Sequence, residues 1–249
     1  MTVIYPPGTP CWLDLTCQVQ SKAADFYEGL FGWRVRDDYA DGFANFAVGE
    51  ERVAGIGPSG ERPASWNVYL CVANLEQTLA DVVEFGGMAL VRPVDLGSDG
   101  RGAAAQDPTG AVFSLWEPRG FTGASLTDVP NSWCWTELIT PDVDTAAQFY
   151  ANVFGWVVDL QSIGEFSYAL ARLNGIGVAG MVCPPGAVEI HPAWTVTFAV
   201  DDVDDAVAKA VELGGQVATP ATDVPNMGRY AALGGVAGEA FSIVTRTSA

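Results

Sequence analysis

Two carboxylates stand where the sequence could support acid–base chemistry. Asp14 follows Trp12 by two positions, and Glu137 follows Trp135 in the same way. Residues i and i+2 of a strand point to the same face, so each carboxylate is expected beside a tryptophan. A carboxylate desolvated in this way has a raised pKa and can act as a general base near neutral pH.

The residues leave three roles open for Asp14 and Glu137: catalysis, ligand binding and structure. A ligand-binding carboxylate could pair with the ammonium group of an amino sugar. A structural carboxylate would accept a hydrogen bond from a backbone amide or pair with an arginine. Arg101 and Arg229, which occupy matching positions in the two halves of the chain, are the candidate partners.

The residue types argue against most metal chemistry. His191 is the one histidine, and its proline-flanked loop predicts a surface or lid residue. Mononuclear iron sites typically use two histidines and a carboxylate, and zinc sites use histidine, cysteine and carboxylate ligands. The five cysteines include no C-x-x-C pair, so we expect reduced thiols. We predict no metal and no cofactor, with an all-oxygen Mg²⁺ or Ca²⁺ site left open.

The elements that position these residues are duplicated. Residues 12–33 match residues 135–156, with a Phe-Tyr pair and a Phe-Gly-Trp ending in both. Residues 66–87 match residues 194–215, and both segments end in Gly-Gly. Self-similarity over such lengths indicates a tandem repeat of one structural unit.

Each half reads as two βαβββ units, so the predicted fold class is α+β with four such units. Ser21 is predicted to cap a helix over 22–31 that ends at Gly32, and Asn74 to cap a helix over 75–85. Helices near 143–153 and 203–213 follow in the second half. We expect strands at 12–19, 43–48, 52–56, 66–73, 88–93, 102–106 and 111–116, and their counterparts. The predicted domains are 1–118 and 132–249, joined by a polar linker over 119–131.

The excess of acidic residues argues against anionic binding partners. Twelve basic residues stand against 30 acidic ones, a net charge of −18, which disfavours nucleic acid and anionic membrane surfaces. The N-terminus lacks the pattern of a signal peptide, and no apolar run approaches the ~20 residues that span a bilayer. We therefore expect a cytoplasmic protein that binds neither nucleic acid nor membrane.

The repeated motifs resemble those of a known family. The Phe-Tyr helix, the Phe-Gly-Trp ending and the Asp-Pro-Thr-Gly turn before VFSLWEP are similar to those of the vicinal oxygen chelate superfamily, which includes glyoxalases, bleomycin-resistance proteins and dioxygenases. The resemblance covers 10–118 and 132–246 and is greatest to double-domain actinobacterial proteins. It implies two tandem glyoxalase-like half-barrel domains whose concave faces enclose a small-molecule pocket.

The resemblance also places the metal-ligand positions of the family on this chain. They fall at Trp12 and Trp135, near Gly55 and Gly180, at Trp66 or Asn67 and at Trp194 or Thr195, and at Ser114 and Ser242. None of these positions carries the usual histidine or glutamate, so the resemblance implies pockets that have lost their metal ligands.

We predict that aromatic and hydroxyl side chains line these pockets and bind an aromatic ligand. The predicted ligand-binding residues are Trp12, Phe46, Trp66, Asn67, Ser114, Trp116, Trp135, Tyr168, Trp194 and Ser242. The alternative is that the tryptophans fill the core, and this is the preferred interpretation for Trp33 and Trp156.

Two functions compete. One is a binding protein that holds an aromatic natural product or antibiotic, for resistance or for delivery in biosynthesis. The other is a metal-free tailoring enzyme, an isomerase, cyclase, epimerase or accessory hydroxylase, with Asp14 or Glu137 as general base. A metal-dependent glyoxalase or dioxygenase is disfavoured by the single histidine. The sequence leaves open whether one cavity or two are functional, and whether this pseudo-dimeric monomer forms a homodimer.

Overall fold

The computed structural model describes residues 3–36, 42–163, 166–184, 189–225 and 227–246. Within them the first half of the chain forms one eight-stranded mixed sheet, with strand order β2-β3-β4-β1-β5-β8-β7-β6. Its strands are β1 (Pro10–Cys17), β2 (Arg34–Arg36), β3 (Ala44–Val48), β4 (Glu51–Pro58), β5 (Ser65–Cys71), β6 (Met88–Asp95), β7 (Gly100–Gln106) and β8 (Val112–Pro118).

The second half repeats this arrangement, with strand order β10-β11-β12-β9-β13-β16-β15-β14. Its strands are β9 (Ser132–Ile139), β10 (Val157–Ile163), β11 (Phe166–Leu173), β12 (Ile176–Val182), β13 (Ala193–Ala199), β14 (Gln216–Val224), β15 (Gly228–Gly234) and β16 (Ala240–Arg246). The prediction of four βαβββ units in an α+β fold is confirmed.

Four helices connect the strands, and their ends follow local signals. They are α1 (Gln20–Phe31), α2 (Leu75–Glu84), α3 (Val143–Phe154) and α4 (Val203–Glu212). Gly32 ends α1 in the left-handed conformation at φ 71°, and the Asn74 side chain caps α2 by accepting from the Gln77 amide, both as predicted. The predicted Ser21 cap is wrong: α1 begins at Gln20, because the Ala23 amide already bonds to the Val19 carbonyl.

The compact units do not follow the two halves of the chain. One unit, here called the α2–α3 unit, comprises 1–11, 67–123 and 136–195, and the other, the α1–α4 unit, comprises 12–66, 124–135 and 196–249. Each therefore takes strands from both sheets. The predicted boundaries at 118 and 132 separate the two sheets, whereas helix packing pairs α1 with α4 and α2 with α3.

The α1–α4 unit has an aromatic core around Tyr27. Its ring stacks on Trp33 with centroids 5.5 Å apart and meets Trp66 edge-on at 5.4 Å. The remaining rings of this core are Phe26, Phe31, Phe46, Phe198 and Phe241. Pairs in this geometry add about 0.5–1.5 kcal/mol each beyond buried area.

The α2–α3 unit repeats this core around Tyr150. Its ring stacks on Trp156 at 5.1 Å and meets Trp194 edge-on at 5.4 Å. Phe113, Phe149 and Phe154 complete the cluster. The expectation that Trp33 and Trp156 pack in the core is confirmed.

Three residues predicted to line a pocket belong to these cores instead. Trp66 donates its indole N–H to the Tyr27 hydroxyl at 3.1 Å, and Trp194 donates to Tyr150 at 2.9 Å. Phe46 is fully buried against Tyr27 and Trp33. They face the helices because their strands present that side to the core, so their assignment to a ligand pocket is corrected.

Candidate functional site

Strand β9 carries Glu137, the more exposed of the two candidate carboxylate residues. Cys134, Thr136 and Leu138 are buried on one face of this strand, whereas Trp135 and Glu137 lie on the other face and are partly exposed. The alternation follows from the strand period of two. Glu137 therefore lies on the face away from the helical core.

Glu137 meets Tyr168 above a glycine. Gly180 on β12 is the direct partner of Glu137 across the parallel β12–β9 pair. A Cβ at Gly180 would overlap the Tyr168 hydroxyl and lie 2.8 Å from Glu137 Oε1. Only the absence of a side chain here lets the phenol and the carboxyl approach each other. We call Glu137, Tyr168 and Gly180, with Thr195, the Glu137 site.

The neighbouring strand fixes the backbone of this site. Thr195 on β13 donates its hydroxyl to the Glu137 carbonyl at 3.1 Å. On the opposite face, the Thr136 hydroxyl donates to the Thr195 carbonyl at 2.9 Å. These two side-chain bonds tie β9 to β13 on both sides of Glu137, so its side chain projects from a doubly anchored strand.

The carboxyl of Glu137 is desolvated, although no cationic side chain of the described residues balances its charge. Burial raises the pKa of its carboxyl, and the hydrogen bond from Tyr168 opposes that rise. No lysine or arginine in the described parts of the chain forms an ion pair with it. A desolvated carboxyl next to a phenol can bind a hydrogen-bond donor or accept a proton.

The arginines proposed as partners of the carboxylates bind elsewhere. Arg101 pairs with Glu76 and Glu117. Arg229 pairs with Asp204 at 2.6 Å and with Asp223 at 3.2 Å. Arg101 links α2 to β7 and β8, and Arg229 links α4 to β15 and β14, so neither arginine compensates the charge of Asp14 or Glu137.

The first-half counterpart of the Glu137 site is filled by its own side chains. Asp14 pairs across β1 and β4 with Gly55, as Glu137 does with Gly180. A Cβ at Gly55 would lie 3.0 Å from the Asp14 Cβ and 3.3 Å from the Trp12 indole nitrogen. Trp12 and Asp14 are only 7% and 8% exposed. Trp12 therefore occupies the space above the glycine, and Asp14 is less accessible than Glu137.

Other predicted ligand-binding residues form separate groups. Asn67 and Ser114 are partly exposed on β5 and β8 of the α2–α3 unit. Trp116 is buried there, with its ring over Gly100 and its indole N–H donated to the Phe121 carbonyl at 2.8 Å. Its role is to close the end of β7 and β8.

In the α1–α4 unit, Ser242 forms a hydroxyl pair with Tyr230 at 2.8 Å. Trp135 packs against Cys134, Ala199 and Val244.

Two residues were not recognised from the sequence. Tyr230 was missed, because a single tyrosine on a strand carries no sequence signal that distinguishes it. Gly180 was placed only as a former ligand position, yet glycine inside a strand is a usable sign of close approach.

The donor set at the former ligand positions does not fit a divalent metal. In the second half, the α2–α3 unit offers Gly180, Thr195 and the carboxylate of Glu137, and the α1–α4 unit offers Trp135 and Ser242. Within the described residues, no group of three or more histidine, cysteine, aspartate or glutamate side chains is arranged so that it could hold a metal ion. His191 is exposed, as predicted. Iron, zinc and manganese sites need a larger set of histidine, cysteine and carboxylate ligands.

None of the helices in the described ranges is long and apolar enough to cross a membrane.

The comparison with known proteins establishes the family. The sequence profile of the Glyoxalase/Bleomycin resistance protein/Dioxygenase superfamily matches residues 134–242. CFP32 of Mycobacterium bovis, whose glyoxylase name is provisional, is 35% identical over 96% of this chain and 95% of its own. The anthracycline biosynthesis protein DauV of a Streptomyces species is 34% identical over 96% and 94%. The chain belongs to this superfamily.

Solved structures share the fold at low identity. The Mn(II)-bound glyoxalase of Novosphingobium aromaticivorans superposes with a TM-score of 0.67 at 17% identity, over 97% of this chain and 85% of that one. The 2,3-dioxygenase LapB of Pseudomonas sp. KL28 gives 0.69 at 14%, over 99% and 94%. These likenesses concern the fold alone.

Proposed function

We propose that this chain is a metal-independent small-molecule-binding protein that holds an aromatic natural product at the Glu137 site. The observation that carries the proposal is the meeting of Glu137 and Tyr168 above Gly180 on a partly exposed strand face. The resemblance to the superfamily implies a pocket on the concave face of each half-barrel, and this strand face offers polar groups without a set of metal ligands. DauV is named as an anthracycline biosynthesis protein, which supports an aromatic polyketide as the ligand.

The second half is the proposed working half. Glu137 is partly exposed and Tyr168 donates to it, whereas the corresponding space in the first half is occupied by Trp12 against Gly55. A duplicated protein can retain one binding site while the copy is filled by side chains, because the fold of each copy depends on its core and not on its pocket.

A second function is favoured by one observation. The desolvated carboxyl of Glu137 has a raised pKa, which suits a general base, and the hydrogen bond from Tyr168 holds this carboxyl in position. In this alternative the chain is a metal-free tailoring enzyme, and Glu137 removes a proton from the bound ligand.

A recovery experiment separates the two functions. The protein is incubated with a panel of aromatic polyketides, with and without common redox cofactors, and binding is followed by tryptophan quenching. Bound ligand is then extracted and analysed by chromatography and mass spectrometry. A ligand recovered unchanged supports the binding protein. A ligand with a new mass or a new retention time, formed by wild type and not by Glu137→Gln, supports the enzyme.

Adding a methyl group at Gly180 is expected to weaken ligand binding. Gly180→Ala forces Tyr168 and Glu137 apart, so the carboxyl no longer holds its position to bind the ligand. Loss of one hydrogen bond to a charged group costs about 1.5–3 kcal/mol, or roughly 10- to 150-fold in Kd. Titration calorimetry with the ligand found above checks it. Gly55→Ala is the matched control, because it crowds Asp14 in the filled half and should leave Kd unchanged. Equal losses in both variants would contradict the assignment of the site to the second half.

Removing metal is expected to leave binding intact. Dialysis against a chelator, followed by addition of Mn²⁺, Zn²⁺ or Fe²⁺, should change the ligand Kd by less than about twofold, because the site offers a single carboxylate. Metal content by mass spectrometry is measured alongside. Stoichiometric metal in the purified protein, together with loss of binding on chelation, would refute metal independence.

A further inference from the structure

The carboxyl of Glu137 retains hydrogen-bonding capacity that its surroundings do not use. A carboxylate has about four acceptor positions on its two oxygens. In the described part of the chain, the hydrogen bond that stabilises its charged form comes from Tyr168. No cationic side chain of the described residues pairs with it. Desolvating a carboxylate without a counter-charge is costly, so this arrangement is poor for stability alone.

Two other buried carboxylates of the same fold, Asp107 and Glu239, accept hydrogen bonds at both of their oxygens. Asp107 Oδ1 accepts from the amides of Thr109, Gly110 and Ala111, and its Oδ2 accepts from Tyr150. Glu239 accepts from the Tyr27 hydroxyl and, through its other oxygen, from the Ala237 amide. The exposed carboxylates Asp95, Asp159 and Asp204 pair with arginines. Glu137 differs from both groups because, within the described residues, the Tyr168 hydroxyl is the donor to its carboxyl, and neither a backbone amide nor an arginine binds it.

We propose that the ligand of the Glu137 site carries a protonated amine, which donates to the Glu137 carboxylate beside Tyr168. This inference rests on the proposed binding function and names the chemical class of its ligand. An ammonium supplies the counter-charge and up to three donors, and charge-assisted hydrogen bonds of this kind are about twice as strong as neutral ones. An anionic ligand would be repelled both by Glu137 and by a chain of net charge −18. That net charge also favours the approach of cations.

The test uses three matched probes: daunorubicin, an anthracycline glycoside with a free amine on its sugar, its N-acetyl derivative and its aglycone. Titration calorimetry at pH 7 gives Kd for the full chain and for Glu137→Gln, which keeps the shape of the side chain. Asp14→Asn is the matched control in the filled half. We expect the free amine to bind wild type at least about tenfold more tightly than the N-acetyl derivative. Glu137→Gln should abolish this preference, and Asp14→Asn should retain it.

The outcomes distinguish the inference from the function on which it rests. Equal binding of the three probes to wild type would overturn the ammonium inference and leave aromatic binding standing. A preference for the free amine that survives in Glu137→Gln but is lost in Asp14→Asn would also overturn it, because the recognising carboxylate would then lie in the first half. Absence of binding by all three probes would overturn both proposals. The thermal midpoint of each variant is measured to confirm that it is folded.

Discussion

Replacing Tyr150 with phenylalanine is expected to lower the free energy of unfolding by about 1–3 kcal/mol. The hydroxyl of Tyr150 is fully buried, donates to Asp107 Oδ2 at 3.0 Å and accepts from the Trp194 indole N–H at 2.9 Å. Burial and the nearby Asp107 raise the pKa of the phenol, which therefore stays protonated and able to donate. Phenylalanine keeps the stacking on Trp156 but leaves a buried carboxylate oxygen and a buried indole N–H without this partner.

Urea unfolding at pH 7 measures the free energy of unfolding of Tyr150→Phe. The equivalent tyrosine of the other unit, Tyr27, supplies a comparison. Tyr27→Phe should cost a similar amount, because Tyr27 donates to Glu239 at 2.8 Å and accepts from Trp66 at 3.1 Å. Tyr168→Phe is the contrasting variant, since Tyr168 is partly exposed and its hydrogen bond to Glu137 should contribute about 0.5–1.5 kcal/mol. A cost for Tyr150→Phe no larger than that for Tyr168→Phe would show that the buried network does not stabilise the fold.

The repeat and the element types could be predicted from the sequence because their signals are local. Apolar spacing at Ala23, Phe26 and Tyr27 marks one helix face, and all three residues are buried in α1. Gly32 and Asn74 mark helix ends through backbone conformation and capping. The three-residue strand β2 was missed, because its residues Arg34–Arg36 are all exposed and show no alternation.

The faces of the strands were harder to predict, since they depend on which side the helices cover. The family comparison left Trp66 or Asn67 as alternatives for one position, and a shift of one residue moves a side chain to the other face. The structure places Trp66 in the core and Asn67 on the partly exposed face. The same holds for Trp194 and Thr195. Large aromatic residues favoured the wrong choice, because they suit a stacking pocket and a core equally well.

The difference between the two halves could not be predicted either. Asp14 and Glu137 occupy corresponding strand positions opposite Gly55 and Gly180. The two sites differ in the side chain that lies over the glycine. It is the indole of Trp12 over Gly55 and the phenol of Tyr168 over Gly180. Side-chain direction of this kind is set by packing among strands distant in sequence, so no local pattern reveals it.

Glu137→Gln is expected to stabilise the fold at neutral pH by about 0.5–2 kcal/mol, the size of a typical single stabilising substitution. Glutamine removes the buried charge and keeps an oxygen to accept from Tyr168. The pKa of Glu137 is raised in the folded chain above its ordinary value of 4.5. Below pH 4.5 the carboxyl is protonated in both folded and unfolded chains and costs nothing. As pH rises through 4.5, Glu137 ionises first in the unfolded chain, and the free energy of unfolding begins to fall. This loss of stability is complete above the pKa of Glu137 in the folded chain.

The advantage of Glu137→Gln should therefore grow from pH 4 to pH 7, measured as the difference in unfolding free energy from wild type at each pH. Glu239→Gln is the control with the opposite sign, although burial raises the pKa of this carboxyl too. Each oxygen of Glu239 already accepts from a donor, Tyr27 or Ala237, so an amide NH₂ must face one of them and cost about 1–3 kcal/mol. If Glu137→Gln were as destabilising as Glu239→Gln, Glu137 would be a structural carboxylate, and the proposal that its acceptor positions are kept for a ligand would fail.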